Sequence, residues 1–234
     1  KLTKEEKASS AKEMFGQYVA DIYNTANLQE AGMDMAVFQK AITGYINLKM
    51  TNKLSHNNVI TVIDFNKSSH EKRMWIIDVL NKSLLLNTWV SHGQGSGNDM
   101  ATAFSNIANS HQSSLGFYVT DDVYYGKHGR SLRLDGMDAG FNSGARSRAI
   151  VVHAADYVSQ GTINQLGRLG RSHGCPAVSP EVSEMVINTI KGKTMLFIAG
   201  NDSHYTSKYM NEDIAMNYLY PNNTTGATTQ MASL

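Results

Sequence analysis

The sequence contains one cysteine, three prolines and almost no excess charge among its 234 residues. A single cysteine excludes an internal disulfide and any zinc site built from several thiolates. The net charge of +1, with no concentration of lysine and arginine, excludes a basic face that tracks nucleic-acid phosphates. No apolar run reaches the ~18 residues of a transmembrane helix. We therefore expect a globular chain that binds no nucleic acid and has no transmembrane segment.

The one cysteine, Cys175, lies between Gly174 and Pro176. A lone cysteine often serves as a small buried apolar residue, but glycine and proline are untypical neighbours for a core position. We therefore interpret Cys175 as a reactive thiol on a turn.

A predicted strand and a predicted helix enclose this turn. The β-branched run at 149–152 predicts a buried strand that ends at His153. Residues 179–181 combine a hydroxyl N-cap, a proline and an acid, which predicts the start of a helix. A thiol ionises more readily beside an imidazole, a helix N-terminus or cationic side chains. His153 is therefore the candidate base, and Arg168 and Arg171 are candidate cations near the thiol.

The turn also supplies backbone groups. The N–H groups of His173, Gly174 and Cys175 are candidates for an oxyanion hole, which stabilises the charge that develops on a carbonyl under attack. The residues alone thus predict a Cys–His nucleophile that forms a covalent acyl intermediate.

His153 followed by the tetrapeptide Ser-His-Gly-Cys at 172–175 resembles the signature of the L,D-transpeptidases with a YkuD-like catalytic domain. These bacterial enzymes remodel peptidoglycan through a cysteine. The stretches 90–93 and 113–118 are also similar to the family, the second without its usual proline. The resemblance covers roughly residues 58–200. A long gap after His153 and the residues after Cys175 indicate a divergent branch.

The resemblance implies a reaction. The Cys175 thiolate attacks the bond between diaminopimelate and the terminal D-alanine of a tetrapeptide stem, which releases D-alanine and leaves a thioester. A second stem then accepts the acyl group in a 3-3 cross-link, so the partners are donor and acceptor stem peptides. His153 is the base and is oriented by the Ala154 carbonyl, while His173 and Gly174 shape the turn. No cofactor and no metal are expected.

Five side chains are expected to bind the substrate, and Arg148 is a further candidate. Arg171 is suited to a stem carboxylate because a guanidinium forks onto carboxylates, as is Arg148, and a structural pairing is the alternative for each. Ser172 is expected to hydrogen-bond either locally or to the substrate. Three others lie in stretches that resemble the family's cleft or its opening strands: His92, Ser114 and Tyr118.

The fold class implied is α+β, a mostly-β YkuD-like catalytic domain with mixed, sandwich-like sheets and a helical N-terminal extension. We place the extension at residues 1–55, the catalytic domain at 56–202 and a polar C-terminal tail at 203–234. Apolar residues spaced by three and four predict helices over 4–26 and from Asp34 onwards. Further strands are predicted where β-branched and aromatic residues cluster, at 59–65, 73–78, 84–90, 113–118, 124–125, 131–134 and 194–199.

The helical extension is expected to pack against the sheet, or alternatively to dock a protein partner of the cell envelope. A location in the periplasm or cell envelope of a bacterium follows from the inferred substrate.

Three other functions stay open from the sequence. A hydrolase, either an L,D-carboxypeptidase or an L,D-endopeptidase, would use the same acyl-enzyme. A non-catalytic peptidoglycan-binding module and a zinc site built from His153, His173 and Cys175 are the other two.

Overall fold

The structure is a computed structural model and describes residues 3–221. Its α-helices are α1 (Lys4–Thr25), α2 (Met35–Met50), α3 (Gln160–Leu166), α4 (Pro180–Ile190) and α5 (Glu212–Leu219). Its strands are β1 (Val59–Asp64), β2 (Met74–Asp78), β3 (Ser83–Thr88), β4 (Gly116–Gly126), β5 (Gly129–Gly136), β6 (Val151–Ala154), β7 (Ala177–Val178) and β8 (Met195–Ala199). Two 3-10 turns lie at Gln94–Ser96 and Lys208–Met210. No helix in this described part is long and apolar enough to cross a membrane.

The eight strands form one mixed sheet in the order β3-β2-β1-β8-β4-β5-β6-β7. The pairs β1–β8 and β6–β7 are parallel, and the other neighbours are antiparallel. In β8, Met195 and Phe197 join the apolar cluster on one face, while Leu196 and Ile198 join the cluster on the other. Alternate side chains of a strand point to opposite faces, so this sheet carries a core on each side. The α+β class with N-terminal helices is confirmed.

The N-terminal helices cover one face of the sheet. Packing against the sheet was the first of the two expectations for them. Asp34 caps α2 as predicted, because its carboxylate accepts hydrogen bonds from the N–H groups of Ala36 at 2.8 Å and Val37 at 3.2 Å. Phe38 and Ile42 of α2 are buried in the same cluster as the strand residues on that face. The helices and the sheet therefore share one hydrophobic core.

The segment predicted as a polar tail from residue 203 is partly helical. Lys208–Met210 and α5 are ordered against α2, and Tyr209 and Met216 are buried in the core of the helical face. Asn47 of α2 donates hydrogen bonds to the carbonyls of Tyr209 at 2.7 Å and Asn211 at 2.9 Å. A tail boundary at 203 is therefore wrong for residues 207–219. The rest of the predicted tail, residues 222–234, lies outside the described residues.

The pairing of β6 with β7 places the two predicted catalytic groups near one another. His153 of β6 is opposite Ala177 of β7, and only Pro176 separates Cys175 from Ala177. The sequence did not predict β7 or α3, which are short and weakly patterned. The strand β7 separates Cys175 from α4, so the predicted helix start does not lie directly at the thiol.

Gly44 of α2 allows the helix to approach the sheet. A Cβ atom built on Gly44 would lie 2.0 Å from Cε1 of Phe117, a buried ring that is itself stacked on Phe197 at 4.4 Å. We expect Gly44→Ala to lower the free energy of unfolding by about 1–3 kcal/mol, because the core has no room for the methyl group. Denaturant unfolding measures this change.

Gly16 of α1 is the matched control. It is also a helical glycine, but a Cβ atom there would meet nothing within 4 Å. Gly16→Ala is expected to stabilise the protein by about 1 kcal/mol through helix propensity. Equal effects of the two substitutions would contradict the close packing of α2 on the sheet.

Candidate active site

Cys175 is half-buried at the edge of one apolar cluster. Its Sγ lies 3.5 Å from the Ala149 carbonyl, to which it donates, and 3.5 Å from the Val151 N–H, from which it accepts. Burial raises the pKa of the Cys175 thiol, while the Val151 N–H and the Arg148 guanidinium oppose this by favouring the thiolate. The thiol is therefore in its neutral form at rest.

His153 is almost wholly buried on β6, with its ring fixed by the next residue along the chain. Its Nδ1 lies 2.8 Å from the Ala154 carbonyl oxygen. A carbonyl only accepts, so Nδ1 carries the proton and Nε2 is left as an acceptor. Burial lowers the pKa of His153, the Ala154 hydrogen bond opposes this, and His128 lowers it further. The imidazole is thus neutral and has the tautomer that a base requires.

Strand β6 positions both the Cys175 sulfur and the His153 ring. Its first residue, Val151, holds the sulfur through its N–H, and its third residue is His153. Within residues 3–221 the hydrogen-bond partners of Sγ are backbone groups, so the resting thiol is not paired with the imidazole. No three His, Cys, Asp or Glu side chains in that range are placed to hold a metal ion together.

The turn before the cysteine is braced by Ser172. The Ser172 hydroxyl donates to the Cys175 carbonyl at 2.6 Å and accepts from the Gly174 N–H at 3.1 Å. Ser172 is buried, so its hydrogen bonds are the local ones of the two expected kinds. Gly174 has φ +118°, and a Cβ atom there would lie 2.7 Å from the Gln112 carbonyl oxygen, so the position requires glycine.

The predicted oxyanion hole loses one of its three members. The Gly174 N–H is already engaged by Ser172. The N–H groups of His173 and Cys175 have no acceptor among the described residues. The side chain of His173 is exposed and stacks on His111, with ring centroids 4.1 Å apart and planes 5° apart.

The cation beside the thiol is Arg148 rather than Arg168 or Arg171. The Arg171 guanidinium donates to the Gly97 carbonyl at 3.0 Å and to Asn98 Oδ1 at 3.1 Å, so it holds the neighbouring loop. Arg168 donates to the carbonyl of the residue that follows it. The structural pairing foreseen for Arg171 is therefore present.

Arg148 ties the long loop before β4 to the catalytic stretch. Its Nη1 donates to the Ser105 carbonyl at 2.7 Å and to Ser114 Oγ at 2.6 Å. Its Nη2 donates to Ser110 Oγ at 3.1 Å and to the Gln112 carbonyl at 2.8 Å. One half-buried side chain thus fixes the loop and faces Cys175 with positive charge.

Three side chains predicted to contact substrate are buried and hydrogen-bonded to protein groups. His92 is fully buried, with Nδ1 2.8 Å from Arg73 Nη2 and Nε2 3.3 Å from the Gly97 carbonyl oxygen. Ser114 accepts from Arg148 and donates to the Ser105 carbonyl at 2.7 Å. The Tyr118 hydroxyl donates to the Ser114 carbonyl at 2.8 Å inside the core. These three side chains therefore have structural contacts that hold the segments around the site.

The structure brings two further histidines to the site. His111 lies on His173, and His128, from the turn between β4 and β5, lies on His153. Both are exposed loop histidines. Sequence spacing carried no signal for either, because each contact depends on how a loop folds back.

The comparisons with known proteins identify the family. The L,D-transpeptidase catalytic domain matches residues 29–199, so this chain belongs to that family. The match begins within the helical segment, before the 58–200 range of the sequence resemblance. A search of curated proteins found no significant match.

Solved structures of L,D-transpeptidases are also similar to the chain. An enzyme from Mycobacterium smegmatis is 12% identical, with a TM-score of 0.37 over 61% of this chain and 59% of that one. An enzyme in complex with imipenem is 13% identical, with a TM-score of 0.36 over 61% and 59%. An enzyme from Stackebrandtia nassauensis is 12% identical, with a TM-score of 0.37 over 72% and 69%. The chain spans about three fifths of the length of the first two structures.

The burial of His92 predicts a pH-dependent loss of stability. Burial, and then the Arg73 charge, lower the pKa of His92 to about 4. As the pH falls, His92 therefore takes up a proton in the unfolded chain before it does so in the folded protein. The stabilisation that the neutral, buried His92 gives the fold is present above roughly pH 6.5 and is lost as the pH falls towards 4. We expect His92→Gln to show a loss of unfolding free energy between pH 7 and pH 5 that is smaller by about 2 kcal/mol than in the wild type. Parallel losses in the two proteins would contradict this.

Arg148 is expected to set the reactivity of the thiol. Because the chain has one cysteine, the rate of alkylation by iodoacetamide reports on Cys175 alone. Arg148→Ala should move the midpoint of the rate–pH profile to higher pH, since the thiolate loses a nearby cation. Arg148→Lys, which keeps the charge, should shift it less. Arg171→Ala is the control, and a shift as large as that of Arg148→Ala would argue against the assignment.

Proposed function

We propose that this chain is a peptidoglycan L,D-transpeptidase that uses Cys175 as its nucleophile and His153 as its general base. The observation that carries the proposal is the hydrogen bond from His153 Nδ1 to the Ala154 carbonyl, on the strand whose N–H also holds the sulfur. This bond leaves Nε2 as a proton acceptor on β6, the strand paired with β7, which follows the turn that carries the one thiol in the chain. Family membership supports the reaction class.

In the first half of the reaction, the Cys175 thiol leaves the Ala149 carbonyl and gives its proton to His153 Nε2. The sulfur attacks the carbonyl that joins diaminopimelate to D-alanine in a tetrapeptide stem, and a C–S bond forms. The N–H groups of His173 and Cys175 are the available donors for the oxyanion. When the C–N bond breaks, the imidazolium gives its proton to the leaving amine, so D-alanine departs and a thioester remains.

In the second half, the side-chain amine of another stem attacks the thioester. Its proton returns through His153 to the sulfur, which leaves a 3-3 cross-link and a free thiol. Water in place of the amine would release a tripeptide, which is the hydrolase alternative with the same acyl-enzyme. The site would act in the periplasm or cell envelope, where stem peptides occur, and docking of an envelope protein on α1 and α2 stays a prediction.

Intact-mass spectrometry tests the acyl-enzyme. The protein is mixed with a diaminopimelate tetrapeptide or with imipenem, which a solved L,D-transpeptidase binds. We expect one covalent adduct on the wild type and none on Cys175→Ala. His153→Ala should form the adduct at least ~100-fold more slowly, the low end of the usual effect of a general base. A wild type without adduct, or one matched by Cys175→Ala, would refute the proposal.

Product analysis separates transfer from hydrolysis. Purified sacculi are incubated with the protein, digested with a muramidase and separated by chromatography. Cross-linked dimers that are absent with Cys175→Ala would support transfer. Tripeptides without new dimers would identify a hydrolase that uses the same nucleophile.

A further inference from the structure

His128 lies on the turn between β4 and β5 and reaches the catalytic base. Its ring stacks on the ring of His153, with centroids 4.3 Å apart and planes 18° apart. His128 itself is exposed, whereas His153 is 1% exposed. His128 therefore lies between the base and solvent as one wall of its pocket.

The remaining contacts of His153 come from the sheet itself, whereas His128 lies on a turn. The Ala154 carbonyl holds Nδ1 from the same strand. Ser131 of β5 and Ala177 of β7 are the paired residues on either side, and neither is charged. A side chain on a turn is the part of this enclosure that depends least on the sheet.

We propose that His128 is a positioning residue, which holds the His153 ring in the orientation of a base and keeps water from it. The inference rests on the proposed role of His153 in acylation. His128 touches neither sulfur nor backbone of the catalytic turn in the contacts given above, so it acts through His153.

Stacking also has an electrostatic consequence. At this separation His128 opposes the protonation of His153 and so acts together with burial to keep His153 neutral. Other charged or titratable groups around β6 are engaged elsewhere. Cys175 contacts the Val151 N–H, Arg148 binds the long loop, and Arg133 of β5 lies over the Tyr124 ring at 4.1 Å. Also on β5, Arg130 donates to Asn188 Oδ1 and Asp135 pairs with Arg146. His128 is the one among them that contacts the base.

The test compares His128→Ala, which removes the ring, with His128→Phe, which keeps a stacking ring but no charge. The rate of imipenem adduct formation is measured by intact mass from pH 5 to 9. We expect the acidic midpoint to move to higher pH in both variants, and further in His128→Ala because the base is also uncovered. At pH 6, His128→Ala should react about tenfold more slowly, as expected for a base that is less well oriented.

A matched control is His204→Ala. His204 is another loop histidine, with a side chain that is 91% exposed and paired with Asp202. Its variant should keep the wild-type profile. Near-UV circular dichroism confirms that all three variants are folded.

Two outcomes overturn the inference in distinguishable ways. If the wild type forms the adduct and both His128 variants keep its rate and midpoint, His128 has no positioning role although the proposed function stands. If the wild type forms no adduct, the proposed function fails. An NMR titration of the His153 ring then decides on His128 independently: an unchanged midpoint and tautomer in His128→Ala and His128→Phe would reject its role.

Discussion

The turn that carries Cys175 depends on a place where three backbone segments come together without side chains between them. A Cβ atom on Gly93 would lie 2.2 Å from the His111 carbonyl oxygen and 2.9 Å from the Cα of Gly174. A Cβ atom on Gly174 would lie 2.7 Å from the Gln112 carbonyl oxygen. Both glycines are thus needed for close backbone approach. Cys175 follows directly, so its position is set by backbone packing more than by its own side chain.

The buried guanidinium of Arg73 supports the backbone contact between Gly93 and Gly174. Arg73 is fully buried and donates to the carbonyls of Val90 and Lys67 and approaches His92 Nδ1 at 2.8 Å. Burial lowers the pKa of Arg73 to about 9, with Asp99 opposing. Burying a charge is costly unless its donors are satisfied, and here carbonyls and an imidazole satisfy them. The segment that leads to Gly93 is therefore held by a polar network inside the core.

The sequence was informative where a pattern is local. Apolar spacing predicted α1 and α2, and the β-branched run before His153 predicted β6, the strand paired with the segment just after Cys175. It failed where a contact depends on distant chain. The burial of His92 depends on Arg73 from the segment just before β2, and the helix at 212–219 depends on the α2 surface that it covers. In both cases the contacting residues lie elsewhere in the sequence, so the neighbouring residues alone do not predict the contact.

Burial makes the resting site favour two neutral groups over an ion pair. Burial raises the pKa of Cys175 and lowers the pKa of His153, so it disfavours charge on both. The thiol hydrogen is directed to the carbonyl of Ala149, a residue with φ +55° in the left-handed region that few non-glycine residues adopt. In the proposed mechanism the proton therefore moves during the attack, not before it. The bound substrate supplies the carbonyl that takes up the developing charge, so acyl transfer from the thiol is favoured in the bound complex.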